Sequence, residues 1–171
     1  IIGYSGSGKS TLARKLGVFY NIPYLHLDNV NFYGDWQVRS LDEKNRLVNA
    51  FLNENPNWVI DGNYSVVSPQ RFEESDITIY LAYNRIYCYF KCKKRYKMYK
   101  NASRESCPCK EKFDKEFKKW ILYSSRIKKR RMQHKINLNK TKDKKLIFKN
   151  VRQLNKWLLS IGYKEEEKKK K

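Results

Sequence analysis

Residues 3 to 11 read Gly-Tyr-Ser-Gly-Ser-Gly-Lys-Ser-Thr, and the part from Gly3 to Ser10 keeps the spacing G-x-x-x-x-G-K-S. Glycines so spaced let successive backbone N–H groups curl round phosphate oxygens, and the helix that follows points its positive end at them. Such a loop requires a strand before it and a helix after it. Ile1 and Ile2 supply an apolar strand end, and Leu12, Leu16, Phe19 and Tyr20 are spaced as one face of an amphipathic helix. In this reading Gly3, Ser5, Gly6, Ser7 and Gly8 cradle a nucleoside triphosphate, expected to be ATP. Lys9 reaches its β- and γ-phosphates, Ser10 ligates Mg²⁺, and the Thr11 hydroxyl holds the α-phosphate.

The chain has 171 residues, which predicts a single domain over 1–171 able to bury a core. Its apolar runs are too short to cross a bilayer, and no signal peptide is visible. The first residue is not Met, so a few residues are taken to be lost; the expected partners exclude a membrane, and the expected compartment is the cytoplasm. The net charge of +21 is unevenly spread. Residues 1–84 hold 7 Lys and Arg against 9 Asp and Glu, a balance of −2, whereas residues 85–171 hold 31 against 8, a balance of +23. The basic half is read mainly as compositional drift toward Lys on solvated faces, with nucleic acid as the less favoured partner.

Cys88 and Cys92, four apart, share a helical stripe with Tyr89, Tyr96 and Tyr99 and are read as core residues. Cys107 and Cys109 are spaced C-x-C, a poor fit to the paired C-x₂-C knuckles of zinc sites. Disulfides are not expected.

Apolar stretches at 22–28, 57–64, 75–83 and 144–150 read as strands. Helices are predicted at 40–55, where Ser40 and Glu43 form a capping box, at 85–100, as one long element over 113–132, and at 151–162. Strands alternating with helices give an α/β fold with a parallel sheet, whose ligands sit beyond the carboxyl ends of the strands. Gly3, Asp28, Asp61 and Asn84 fall at such ends and should converge on one cleft.

With these stretches in view, the chain resembles P-loop kinases of the adenylate-kinase type. It is most similar to the bacterial DNA topology modulation protein family, whose members carry the phosphate loop, an LHLD strand end, a WVIDGNY strand and a CPxKFDxEFxxW segment. Here these are GYSGSGKST, Leu25 to Asp28, Trp58 to Tyr64 and Cys107 to Trp120, so the resemblance covers nearly the whole chain. It implies a P-loop NTPase fold: a five-stranded parallel sheet of order 2-3-1-4-5, flanked by helices and carrying a helical lid. The core would comprise 1–100 and 132–162, with an acceptor-binding region at about 29–60 and a mobile lid at about 101–131. Lid arginines would close over the transferring phosphoryl group. Arg126 and Arg130, read as four apart on one helix face, lead, with Arg131, Arg104 and Arg95 behind them. One position departs from the pattern, since Ala82 stands where an Asp is expected near the end of a strand. A carboxylate assisting Mg²⁺ must therefore be Asp28 or Asp61.

The function expected is transfer of the γ-phosphoryl group of Mg-ATP to a small acceptor such as a nucleotide or nucleoside. Lys9 and the loop amides would hold the donor, Asp28 or Asp61 would orient the acceptor hydroxyl or a metal-bound water, and Arg126 and Arg130 would arrive with the lid. The alternative is a nucleotide-dependent DNA-binding or topology-modulating regulator, using the rings and cations of residues 87–100, although the helical reading turns most of those rings to the core. A third reading, a nucleotide-binding protein without catalysis, has only Ala82 behind it. Phe32, Tyr33 and Trp36 could stack on an acceptor base or plug a loop, and the EEEKKKK run is read as a solvated tail.

Overall fold

A computed structural model describes residues 1–100 and 102–164; Asn101 of the expected lid and the EEEKKKK run lie outside the described residues. In chain order the elements are β1 (Ile2–Gly3), α1 (Lys9–Tyr20), β2 (Tyr24–His26), α2 (Leu27–Asn31), α3 (Leu41–Glu54), β3 (Val59–Asp61) and α4 (Arg71–Glu74). There follow β4 (Ile77–Leu81), α5 (Arg85–Tyr99), α6 (Lys115–Leu122), a 3₁₀ turn at Ser124–Arg126, α7 (Lys128–Lys140), β5 (Lys144–Phe148) and α8 (Val151–Ser160). The fold is α/β, and every strand pairing is parallel.

The expected single five-stranded sheet is not formed among the described residues. β1, β4 and β5 make a three-stranded sheet in the order β1-β4-β5, and β2 pairs with β3 in a separate two-stranded one. The two meet at the first residue of the chain, where Ile1 N donates to Ile60 O at 2.7 Å and Gly62 N to Ile1 O at 3.0 Å. With β1 only two residues long, the contact ends there. Beyond it lies a cavity of about 290 Å³ lined by Ile1, Val59, Phe72, Ile77, Ile79 and Trp157.

Capping follows the side chains available. Ser40 accepts from Glu43 N at the start of α3, but the Glu43 carboxylate pairs with Arg39 and Tyr33, so only that half of the expected capping box is seen; Asn84, Asp114 and Asn150 also cap α5, α6 and α8 through their side chains. The main core gathers Ile2, Leu12, Leu16, Ile79, Leu81, Cys88, Cys92, Ile121 and Leu158, and a second cluster joins Leu27, Val30, Val48, Ile60 and Val67.

The structure departs from the sequence reading in two elements and in the burial of three rings. The 22–28 strand is only Tyr24–His26, because α2 begins at once and its helical spacing buries Leu27 and Val30 in the second core. The helix at 113–132 is interrupted: Ile127 takes an extended conformation, and Arg126 is drawn off to the Ile121 and Tyr83 carbonyls. Arg126 and Arg130 therefore do not share a helix. Phe19, Tyr20 and Tyr99, grouped with core stripes, are exposed instead, while Leu12, Leu16, Cys88 and Cys92 are buried as expected. All four cysteines are free, and no group of three or more metal-ligating side chains occurs among the described residues. No helix among them is long and apolar enough to cross a membrane.

Candidate functional site

The loop between β1 and α1 is shaped by its glycines and by what lies under them. Gly6 has φ +81°, and a Cβ there would stand 2.4 Å from the Cys88 carbonyl oxygen and 2.7 Å from Cys92 Sγ, so the loop rests directly on α5. Gly8, at φ +91°, leads into α1 with no side-chain cap and no acidic residue in the first turn. Because the ladder starts with Leu12 N donating to Gly8 O at 2.9 Å, the amides of Lys9, Ser10 and Thr11 precede the first intrahelical bond and face outward with the positive end of the helix dipole. Ser7 is buried and its hydroxyl lacks a hydrogen-bond partner. The outward amides of an uncapped helix start are donors that an anion would satisfy.

Lys9 Nζ donates to Tyr4 O at 3.2 Å. Burial lowers its pKa, the carboxylates of Asp61 and Asp28 pull it back up, and Arg95 reinforces the lowering. An anion in the loop would favour the charged ammonium for the same electrostatic reason. Asn63 clamps the other end of the loop: its Oδ1 accepts from Gly3 N at 2.9 Å and its Nδ2 donates to Gly3 O at 2.7 Å.

The two candidate carboxylates separate into different settings. Asp61, buried at the end of β3, accepts from Ser10 Oγ on Oδ2 at 2.9 Å and meets His26 Nδ1 through Oδ1. The β2–β3 register sets His26 opposite Asp61. Asp28 lies in the first turn of α2, half-buried, and accepts from Tyr64 OH at 2.7 Å. Burial and that carboxylate hold the Tyr64 phenol protonated well above the usual range. Ala82, whose N donates to Phe148 O, contributes no carboxylate.

The remaining candidates lie above the loop or behind it. Trp120 of α6 donates through Nε1 to Ser5 Oγ at 3.3 Å, and the Arg130 guanidinium covers the Trp120 ring at 4.3 Å. Arg126 stacks on Tyr4 at 3.7 Å. Arg95 and Arg104 both pair with the buried Glu111, and Arg131 is exposed on α7. Thr11 is exposed on the first turn of α1, and Asn84 is occupied as the α5 cap. The segment 105–110 covers part of the 29–60 region: the Glu105 carbonyl accepts from Asn29 Nδ2 at 2.7 Å, and the Lys110 carbonyl accepts from Trp36 Nε1 at 3.2 Å.

Asp61 thus meets the loop at Ser10, Asp28 acts on Lys9 through its charge while holding Tyr64, and Arg126 is engaged with the core. Sequence reasoning misses His26, Asn63 and Trp120 as individual site residues. A polar His in a short apolar strand is the available signal for the first; Asn63 and Trp120 sit in the stretches Trp58 to Tyr64 and Cys107 to Trp120 with nothing in the sequence to mark their partners. No family model, curated protein or solved structure matches the chain, so the functional reading rests on this geometry.

Proposed function

We propose that this chain is a P-loop kinase that binds Mg-ATP at residues 3–11 and transfers the γ-phosphoryl group to a small acceptor, a nucleotide or nucleoside being the class expected. The observation that carries the reading is the Ser10 to Asp61 hydrogen bond of 2.9 Å at the uncapped start of α1, beside Lys9. A hydroxyl, a carboxylate and an ammonium meet there next to free backbone donors. The described residues form two separate sheets, joined at Ile1 by its bonds with Ile60 and Gly62.

The donor set fits Mg²⁺, which characteristically binds through one or two carboxylates together with substrate phosphates and waters rather than in an all-protein cage. Ser10 and Asp61 would hold it, and it would supply positive charge against the triphosphate. Lys9 and the amides of Gly8 to Thr11 hold the triphosphate and stabilise the negative charge that passes to the β-oxygen as its bond to the γ-phosphorus breaks. Asp28, with Tyr64 fixing one of its oxygens, orients the acceptor hydroxyl and receives its proton as the new O–P bond forms. Trp120 and the 105–110 segment exclude water, and Arg130, exposed and stacked on Trp120, is the arginine able to reach the phosphoryl group. Isothermal titration of the chain with ATP, with and without Mg²⁺, tests the reading: Lys9→Ala should weaken binding at least tenfold, and equal affinity in both proteins would refute it.

A second reading, nucleotide-dependent DNA binding, has one observation in its favour: the exposed Phe90 lies among Lys93, Lys94 and Lys97 around a shallow depression on α5. DNA affinity that collapses over a modest rise in salt, without sequence preference, would reduce it to nonspecific attraction.

A further inference from the structure

His26 is a buried polar side chain in a three-residue strand that otherwise carries Tyr24 and Leu25. The parallel register places it directly opposite Asp61, and its Nδ1 meets Asp61 Oδ1 while Ser10 Oγ donates to Oδ2. Both oxygens of one carboxylate are thus engaged, each by a different strand end or helix start.

We propose that His26 is the positioning residue of Asp61, and through Asp61 of Ser10, for the metal of the phosphate loop. The inference rests on the nucleotide reading given above. An Asp side chain buried beside a helix start has two rotatable bonds and would otherwise settle on whichever amide is nearest. A donor from His26 fixes Oδ1 and turns Oδ2 to Ser10. Ser10 has one hydroxyl proton and two lone pairs; with the proton committed to Asp61, only acceptor lone pairs remain to offer a cation. The order His26, Asp61, Ser10 is thus a chain of directed hydrogen bonds whose last member is the metal ligand. Partners of this outer kind typically contribute 10- to 100-fold to metal affinity.

The role requires a particular tautomer. Nδ1 must carry the hydrogen, because ionised Asp61 can only accept. Nothing else about the ring is needed, so a shorter side chain with an N–H at the position of Nδ1 should serve, and Asn supplies one.

The test uses a fluorescent ATP analogue titrated at fixed concentrations of Mg²⁺. His26→Phe should need about 10- to 100-fold more Mg²⁺ for half-maximal binding, with affinity in the absence of Mg²⁺ unchanged. His26→Asn should return the Mg²⁺ requirement to within a few fold of the parent. Normal analogue binding with an unaltered Mg²⁺ requirement in His26→Phe overturns this inference alone. Failure of the parent chain to bind the analogue at any Mg²⁺ concentration overturns the nucleotide reading and this inference with it. Should His26→Phe fail to fold, ¹⁵N NMR of the parent decides: a protonated Nδ1 whose resonance moves when Mg²⁺ and the analogue are added supports the assignment, and a bare Nδ1 overturns it.

Discussion

Arg126 lies flat against Tyr4, its guanidinium carbon 3.7 Å from the ring centroid, while Nη1 donates to Tyr83 O at 3.0 Å and Nε to Ile121 O at 3.2 Å. One side chain therefore joins the phosphate loop, the end of β4 and the end of α6. A desolvated cation on an aromatic face contributes about 2 kcal/mol, and each charge-assisted bond somewhat less. Arg126→Ala should cost on the order of 3 kcal/mol in urea unfolding. Arg126→Lys should recover only part of it, since an ammonium cannot stack and fork at once. An Arg126→Ala protein as stable as the parent would return Arg126 to the role of a free phosphate clamp.

Gly6 and Gly8 separate strain from steric conflict. Both lie at positive φ, but a Cβ at Gly8 meets nothing within 4 Å whereas one at Gly6 runs into the backbone of α5 at Cys88. Gly8→Ala should therefore lose only the left-handed penalty, roughly 1 kcal/mol. Gly6→Ala must lift the loop off α5, and its melting temperature should fall at least twice as far. Equal shifts in thermal melts of the two variants would mean that the loop does not bear on α5.

Acid should destabilise the protein in a window set by His134. This ring is packed between Tyr4 and Tyr80, its Nδ1 is unpartnered, and burial lowers its pKa to about 4, with the charges of Lys9 and Arg130 acting in the same direction. The unfolded chain takes up the proton near its ordinary value of about 6.5. The stability held by neutral His134 is thus complete above about pH 6.5 and lost progressively as pH falls toward 4, by about 2 kcal/mol at pH 5. His134→Phe should remove most of the slope in urea titrations from pH 7 to 4.5; an unchanged slope would exclude His134 as its source.

Local chemistry carried most of what the sequence disclosed. The glycine turn leading into α1, the Ser40 cap and the burial of Cys88 and Cys92 follow from spacing alone, and the structure contains each. Failures arose where a distant partner decides. The break at Tyr123 to Ile127 contains no Gly or Pro, because it is made by the Tyr83 carbonyl drawing Arg126 away. The second half of α7 buries His134 and Asn137, polar residues that hydrophobic periodicity does not register. The different settings of Asp28 and Asp61 are made by His26, Ser10 and Tyr64, whose pairings span 35, 51 and 36 residues.

The central claim is phosphoryl transfer, and the measurement that reaches it most directly is ATP turnover with Mg²⁺ against a panel of nucleoside monophosphates, nucleosides and small alcohols. The account predicts a phosphorylated product with one acceptor class, its rate reduced at least a thousandfold in Lys9→Ala and strongly in Asp28→Asn, with both variants still folded. Turnover retained in Lys9→Ala, or ATP bound tightly by the parent with no acceptor in the panel phosphorylated, would contradict it.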